Sequence, residues 1–157
     1  MATYSFDTSS LVAAWCERYP IDNFPGFWER LEELVDAGDA LASREVLLEV
    51  KRRDDKLYKW CNSRAKMFVE VDEPCQDRVA EIMAAYPRFV DTRTGKNSGD
   101  PFVIALARLQ TPVLTVVTEE NGGSANRPAI PFVCSAEKIP IMNLLGLIQR
   151  HGWRFPK

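Results

Sequence analysis

The sequence predicts an α/β protein, with three α/β/α layers built around a central, mainly parallel sheet. Two observations lead there. Short apolar segments of strand length alternate with longer stretches of helical spacing through most of the chain. Parallel neighbours joined through helices follow from that alternation, with right-handed crossovers. In addition, 157 residues without repeats or a long linker suit one domain, 1–157, large enough to bury a core.

The elements read in order as follows. Residues 3–7 form a strand, and residues 9–16 a helix that is broken by Tyr19-Pro20 and again by Phe24-Pro25-Gly26. Phe27, Trp28, Leu31, Leu34 and Val35 have helical spacing and end at Gly38, a C-terminal stop. Ala40-Leu41-Ala42 is a second strand. Ser43 caps a long helix to about Asn62, with Val46, Leu47, Val50, Leu57 and Trp60 on one side. Met67 to Val71 is extended, and Pro74 starts a helix that ends near Tyr86-Pro87. A polar loop, DTRTGKNSGD, leads to a helix over Pro101 to Leu109. Pro112 to Val117 is the clearest strand, short and β-branched. After a Gly/Ser/Asn loop, AIPFVC is expected to be a strand, Ile141 to Gln149 a last helix, and GWRF a tail that pairs at a sheet edge.

Composition narrows the function. The hydrophobic share is 46% and the charged share 27%, ordinary for a soluble globular protein. No apolar run approaches membrane-spanning length and no secretory signal is visible, so the expected location is the cytoplasm, without membrane contact. The four cysteines, Cys16, Cys61, Cys75 and Cys134, are scattered without a C-x-x-C pair and are read as reduced, mostly buried thiols. The one histidine, His151, has no metal-type partner near it, so no zinc site is expected. Its place before Gly152 suits a helix C-terminus. Phe24, Phe27 and Trp28 are read as packing residues. A net charge of −2 argues against a nonspecific grip on nucleic acid through bulk charge. Local basic clusters do occur, at Lys51-Arg52-Arg53 and at Arg88, Arg93 and Lys96, either as solvated surface or as binding groups.

The acids stand at element ends. Asp7 follows the first strand, Glu49 lies in the first turns of the helix after the second, Asp100 precedes the Pro101 helix, and Glu119 and Glu120 follow VLTVVT. In a parallel sheet the carboxyl ends of the strands gather along one edge. Several carboxylates there repel one another unless some take protons or a cation binds, and an all-oxygen set suits Mg²⁺ or Mn²⁺. At ~100° per residue, Glu49 sits at the border of the apolar stripe and Glu45 farther toward solvent, which favours Glu49. Each acid also has a structural reading. Asp7 and Asp100 can cap helices, Glu49 can be a surface carboxylate near Lys51 and Arg52, and Glu119 and Glu120 can solvate a loop.

The ordered set resembles the PIN-domain superfamily of metal-dependent ribonucleases. FDTSSLV looks like that family's opening motif, ASREVLLEV is similar to its second, and SGDPFVIALARLQTPVLTVVTEE looks like its third and fourth. IPFVC, the following helix and GWRF resemble a little-characterised bacterial branch with PIN-like toxins. The family's usual Asp after Thr-x is here Glu120, with Glu119 beside it, and Asp91 is a further acid near the motif.

The resemblance implies a PIN-like fold and a metal-dependent endoribonuclease that leaves a 5′-phosphate and a 3′-hydroxyl. It implies one or two Mg²⁺ or Mn²⁺ ions held by Asp7, Glu49, Asp100 and Glu120. Thr8, Ser9 and Thr118 would orient ligands or contact a phosphate, and Lys96 and Asn97 would touch the RNA backbone. It also implies an RNA substrate, a protein antitoxin and a homodimer. The alternative is a noncatalytic PIN-like module that binds RNA or protein. A haloacid-dehalogenase-type phosphatase would need Asp-x-Asp where Asp7-Thr8-Ser9 stands, and the paired acids of a receiver domain are not in place.

Overall fold

The computed structural model describes residues 2–91, 93–95 and 97–155. Five parallel strands form one sheet in the order β3-β2-β1-β4-β5. They are β1 (Tyr4–Phe6), β2 (Ala40–Ser43), β3 (Phe68–Val69), β4 (Thr115–Val117) and β5 (Ile141–Met142). The order reverses between β1 and β4, so the first strand lies at the centre and the chain winds outward in both directions.

Helices cover both faces. Along β1 the pleat sends alternate side chains to opposite sides. The Ser5 hydroxyl donates to the carbonyl of Val103 in α6 (Asp100–Leu109) on one face. Tyr4 and Phe6 point the other way, where Tyr4 Oη meets His151 Nε2 of α8 (Leu144–His151) at 2.7 Å. On that face Phe27 and Trp28 of α2 (Pro25–Asp36) are buried among aromatics, with ring centroids 5.0 Å apart for Trp15–Trp28 and 4.9 Å for Trp28–Trp60. The Trp28 indole N–H donates to Tyr19 O at 2.7 Å, so this buried ring leaves no polar atom unsatisfied.

Several segments depart from what periodicity predicts. The long helix after β2 is two, α3 (Arg44–Arg53) and α4 (Asp55–Asn62). At the break Asp54 is extended, and its carboxylate caps α4 by accepting from Leu57 N at 2.9 Å. The first helix, α1 (Thr8–Ala13), runs into a π-helical turn over Ala14–Arg18. The helix expected from Pro74 is α5 (Glu73–Ala85), which begins at Glu73 and is capped by Asp72.

The expected strand AIPFVC is instead helix α7 (Ile130–Ala136). Pro131 lacks an N–H to give a sheet and is tolerated in a first helical turn. Ile130, Val133 and Cys134 recur at helical spacing and are buried together. Conversely, Ile141 and Met142 do not open a helix. They form the edge strand β5, and α8 starts only after Asn143, whose Oδ1 accepts from Gly146 N at 2.8 Å. GWRF does not pair at a sheet edge. Trp153 and Phe155 pack on Phe27 of α2, because burying two rings there removes more apolar surface from water than an exposed edge would.

Among the described residues the four cysteines are free, with Cys16 exposed and the other three buried. No described helix is long and apolar enough to cross a membrane.

Trp28→Ala is expected to cost about 3–5 kcal/mol, as large-to-small core changes do. Urea and thermal unfolding would show it as a lower midpoint; a change under about 1 kcal/mol would refute this account of the aromatic core.

Candidate functional site

The cleft lies at the carboxyl ends of β1 and β4, where the strand order reverses. Asp7 caps a helix from the end of the first strand. Its Oδ1 accepts from Ser10 N at 2.7 Å and so caps α1. Its Oδ2 accepts from Ser9 Oγ at 2.7 Å and from Thr118 Oγ1 at 2.5 Å, which reaches across from the end of β4. Asp7 is 1% exposed. Burial pushes its pKa upward, and the hydrogen bonds from Thr118, Ser9 and Ser10 pull against that.

Thr118 carries the arrangement onward. While donating to Asp7, its hydroxyl oxygen accepts from Glu120 N at 3.0 Å. Ser9 Oγ likewise accepts from Glu119 N at 3.2 Å. The two hydroxyls thus fix the backbone of the acidic pair relative to Asp7.

The side chains of that pair diverge. Glu119 accepts from Leu144 N at 2.8 Å, at the start of α8, and pairs with Arg18 at 3.4 Å. It joins elements at the mouth of the cleft. Both glutamates line that cleft, and the charge of Glu120 raises the pKa of Asp100.

Asp100 is the first residue of α6, and Gly99 holds the cap position. The Asp100 carboxylate therefore does not cap its helix, contrary to the cap reading of its sequence. It is 6% exposed, and among the described residues no donor reaches its buried Oδ2. Its pKa is raised to about 9, first by burial and then by Glu120, Asp7 and Glu49. The same negative field is felt at the thiol of Cys134 in α7. Burial, and then Asp7, Glu120 and Asp100, push that thiol up to about 12.

Glu49 enters from α3. Its Oε1 accepts from Thr8 Oγ1 at 2.9 Å, and the side chain lies on the backbone of Gly99. A Cβ at position 99 would stand 1.9 Å from that oxygen, so glycine there is what lets Glu49 approach Asp100's helix. Burial raises the Glu49 pKa, partly offset by the Thr8 hydrogen bond and by Arg52 and Arg53.

Thr8, Ser9, Glu49, Asn97, Asp100 and Glu120 thus surround one cleft of about 310 Å³, with Asp7 buried behind it and Arg18 and Arg53 at its rim. Thr8, Ser9 and Thr118 all direct hydrogen bonds within the acidic network. Asn97 is in the left-handed region at φ 64°. The expectation for Lys96 falls outside the described residues. Asp91 stands elsewhere: its Oδ1 accepts from the amides of Arg93 and Thr94, forming a turn in the neighbouring groove.

Among the described residues no three His, Cys, Asp or Glu side chains converge as a finished metal cage. The acids flank the cleft and feel one another through their charge. Their chemistry nevertheless fits a hard divalent cation: the ligand atoms are all oxygen, and among the described residues no donor reaches the buried Asp100 Oδ2, with three like charges acting on it. Sequence reasoning missed Gly99, Arg18 and Cys134. A small residue before Asp100 was the one local sign of close approach, whereas the other two come near only through the crossovers.

The raised pKa of Asp100 dictates a pH trend for the metal-free protein. Between its ordinary value of 3.8 and about 9, the folded chain holds a proton that the unfolded chain has lost, so folding stability falls as pH rises through that window. In EDTA, the melting temperature should decline from pH 5 to pH 9, and Asp100→Asn should flatten the decline and melt several degrees higher at pH 8. A variant melting profile parallel to the parent's would overturn the assignment of that slope to Asp100.

The model of the family described as Domain of unknown function (DUF4411) matches residues 4–155. No curated protein matches the chain. Among solved structures, VapBC2 from Rickettsia felis, bound to a DNA fragment from its promoter, is 13% identical at a TM-score of 0.51, covering 90% of this chain and 98% of that one. FitAcB from Neisseria gonorrhoeae is 19% identical at a TM-score of 0.46, covering 90% and 97%. The chain belongs to the DUF4411 family, and its fold is PIN-like.

Proposed function

We propose that this protein is a metal-dependent endoribonuclease and the toxin of a toxin–antitoxin pair. The observation that carries the catalytic part is the buried Asp100 Oδ2, which no donor reaches among the described residues while Glu120, Asp7 and Glu49 all raise its pKa. A carboxyl group so placed either keeps a proton or meets a cation. The shared PIN-like fold with VapBC2, a toxin–antitoxin complex, supports the antitoxin.

Asp7, Glu49, Asp100 and Glu120 would hold Mg²⁺ or Mn²⁺, one ion or two. Bound there, the metal would lower the pKa of a water and stabilise the attacking and leaving oxygens of the phosphodiester. The chain's own groups do the positioning. Thr118 and Ser9 hold Asp7 Oδ2 in place, Thr8 holds Glu49, and the helix start at Ser10 fixes the other Asp7 oxygen. His151 hydrogen bonds to Tyr4 on the other face of the sheet and takes no part in this cleft. The substrate would be RNA, with a homodimer as the assembled form and the cytoplasm as the place of action.

Purified protein incubated with total RNA and Mn²⁺ should cleave it, and EDTA should stop the reaction. Asp100→Asn and Asp7→Asn should each lower the rate by on the order of 100-fold while circular dichroism stays native. Folded Asp7→Asn protein cutting as fast as the parent would sink the reading, and the noncatalytic module would replace it. Glu120→Gln should lose activity, whereas Glu119→Gln should keep the turnover rate within about threefold and instead lower the melting temperature, since Glu119 ties Arg18 to α8. The reverse pattern would assign the fourth ligand to Glu119.

A further inference from the structure

A second groove, of about 660 Å³, adjoins the acidic cleft. Its walls come from residues 87–91 and 93, after α5, and from the loop at residues 126–128. Asn97 lines both cavities and marks their junction. Arg88, Arg93 and Arg127 line the groove and are exposed; among the described lining residues Asp91 is the one carboxylate, and it accepts from two backbone amides and pairs with the Arg93 guanidinium at 3.9 Å, which leaves Arg88 and Arg127 as the cations it does not offset. In a chain of net charge −2, this places positive charge beside the acidic cleft.

The juxtaposition has a physical use. Acids alone repel a polyanion, so a strand must be held by cations close to the place where one of its phosphates enters the cleft. Guanidinium groups suit phosphate through paired N–H donors. The aromatic ring in the groove, Phe89, is 1% exposed and belongs to the core, so the walls offer charge and amides and no platform for stacking bases.

We propose that the groove lined by Arg88, Arg93 and Arg127 holds the phosphate backbone of an unpaired RNA strand and delivers it past Asn97 to the acidic cleft. This inference rests on the nuclease reading of that cleft. It assigns the groove to phosphates and to no base, so it adds affinity without sequence preference. A single strand suits the site because Asp100 is only 6% exposed, and an unpaired strand can turn one phosphate inward toward a recessed carboxylate more readily than a stacked duplex can.

The test compares the parent, Arg88→Ala/Arg127→Ala and Arg150→Ala, the last removing the same kind of charge beside Tyr4, away from the groove. Binding of short fluorescein-labelled oligouridylate and oligoadenylate is followed by anisotropy across a salt series in Ca²⁺, and cleavage of the same strands in Mn²⁺. The double variant should bind both strands more weakly by the same factor. Its slope of log K against log salt should be shallower by about 1.4, which is about 25-fold at 0.1 M salt relative to 1 M. Its KM should rise with kcat unchanged, and Arg150→Ala should match the parent.

A double variant that keeps the parent's affinity and slope overturns the groove assignment. If it also cleaves normally, the nuclease reading stands without the groove. A parent that binds, loses binding in the double variant and never cleaves keeps the groove and removes the nuclease. A parent that neither binds nor cleaves removes both.

Discussion

The Asp7 carboxylate is the constraint on which the rest of the site depends. It sits where the strand order reverses, and it accepts from one backbone amide and two hydroxyls. The amide starts α1, and the hydroxyls reach from α1 and from the end of β4. One buried group therefore fixes the start of a helix, the spacing of two strand ends and the course of the chain toward Glu120. Its burial is tolerable because three donors replace the water it loses. This satisfaction also explains why Asp7 and Asp100 differ. Asp7 is held by the protein, whereas among the described residues Asp100 Oδ2 is not.

Asp100 is the conflict that a folded chain would avoid without another use for it. Local helix chemistry would put a carboxylate at the cap, yet Gly99 takes that place and Asp100 turns inward. A neutral residue there would be more stable without metal, by the sign of the raised pKa. Unfavourable placement of titratable groups is where stability and function part company. Gly99 belongs to the same trade, because its missing side chain is the space that Glu49 occupies.

Charge is divided unevenly around this centre. Glu119 is bound to Arg18 and α8, and both it and Glu120 line the cleft. Arg53 and Arg18 stand at one rim, and Arg88, Arg93 and Arg127 line the adjoining groove. The net charge of −2 conceals both patches. Bulk charge therefore says little about whether a polyanion can approach, and the local field decides.

The sequence by itself determined the fold class, the first strand, the clearest strand before Thr118 and the acids Asp7, Glu49 and Asp100 at element ends. These rest on local physics: β-branched runs, helical spacing and stops at Gly and Pro. Its periodicity failed at IPFVC and Ile141-Met142, where short apolar segments fit a helix or a strand equally well. Pro131 and the cap at Asn143 were the signs that resolve them. Only tertiary structure tied Glu119 to Arg18 and α8, placed Asp91 in the neighbouring groove and joined that groove to the cleft at Asn97. Those outcomes depend on side chains far apart along the chain, Arg18 with Glu119 and Arg88 with Arg127. The crossovers of the sheet alone bring them together, and no local propensity encodes such a meeting.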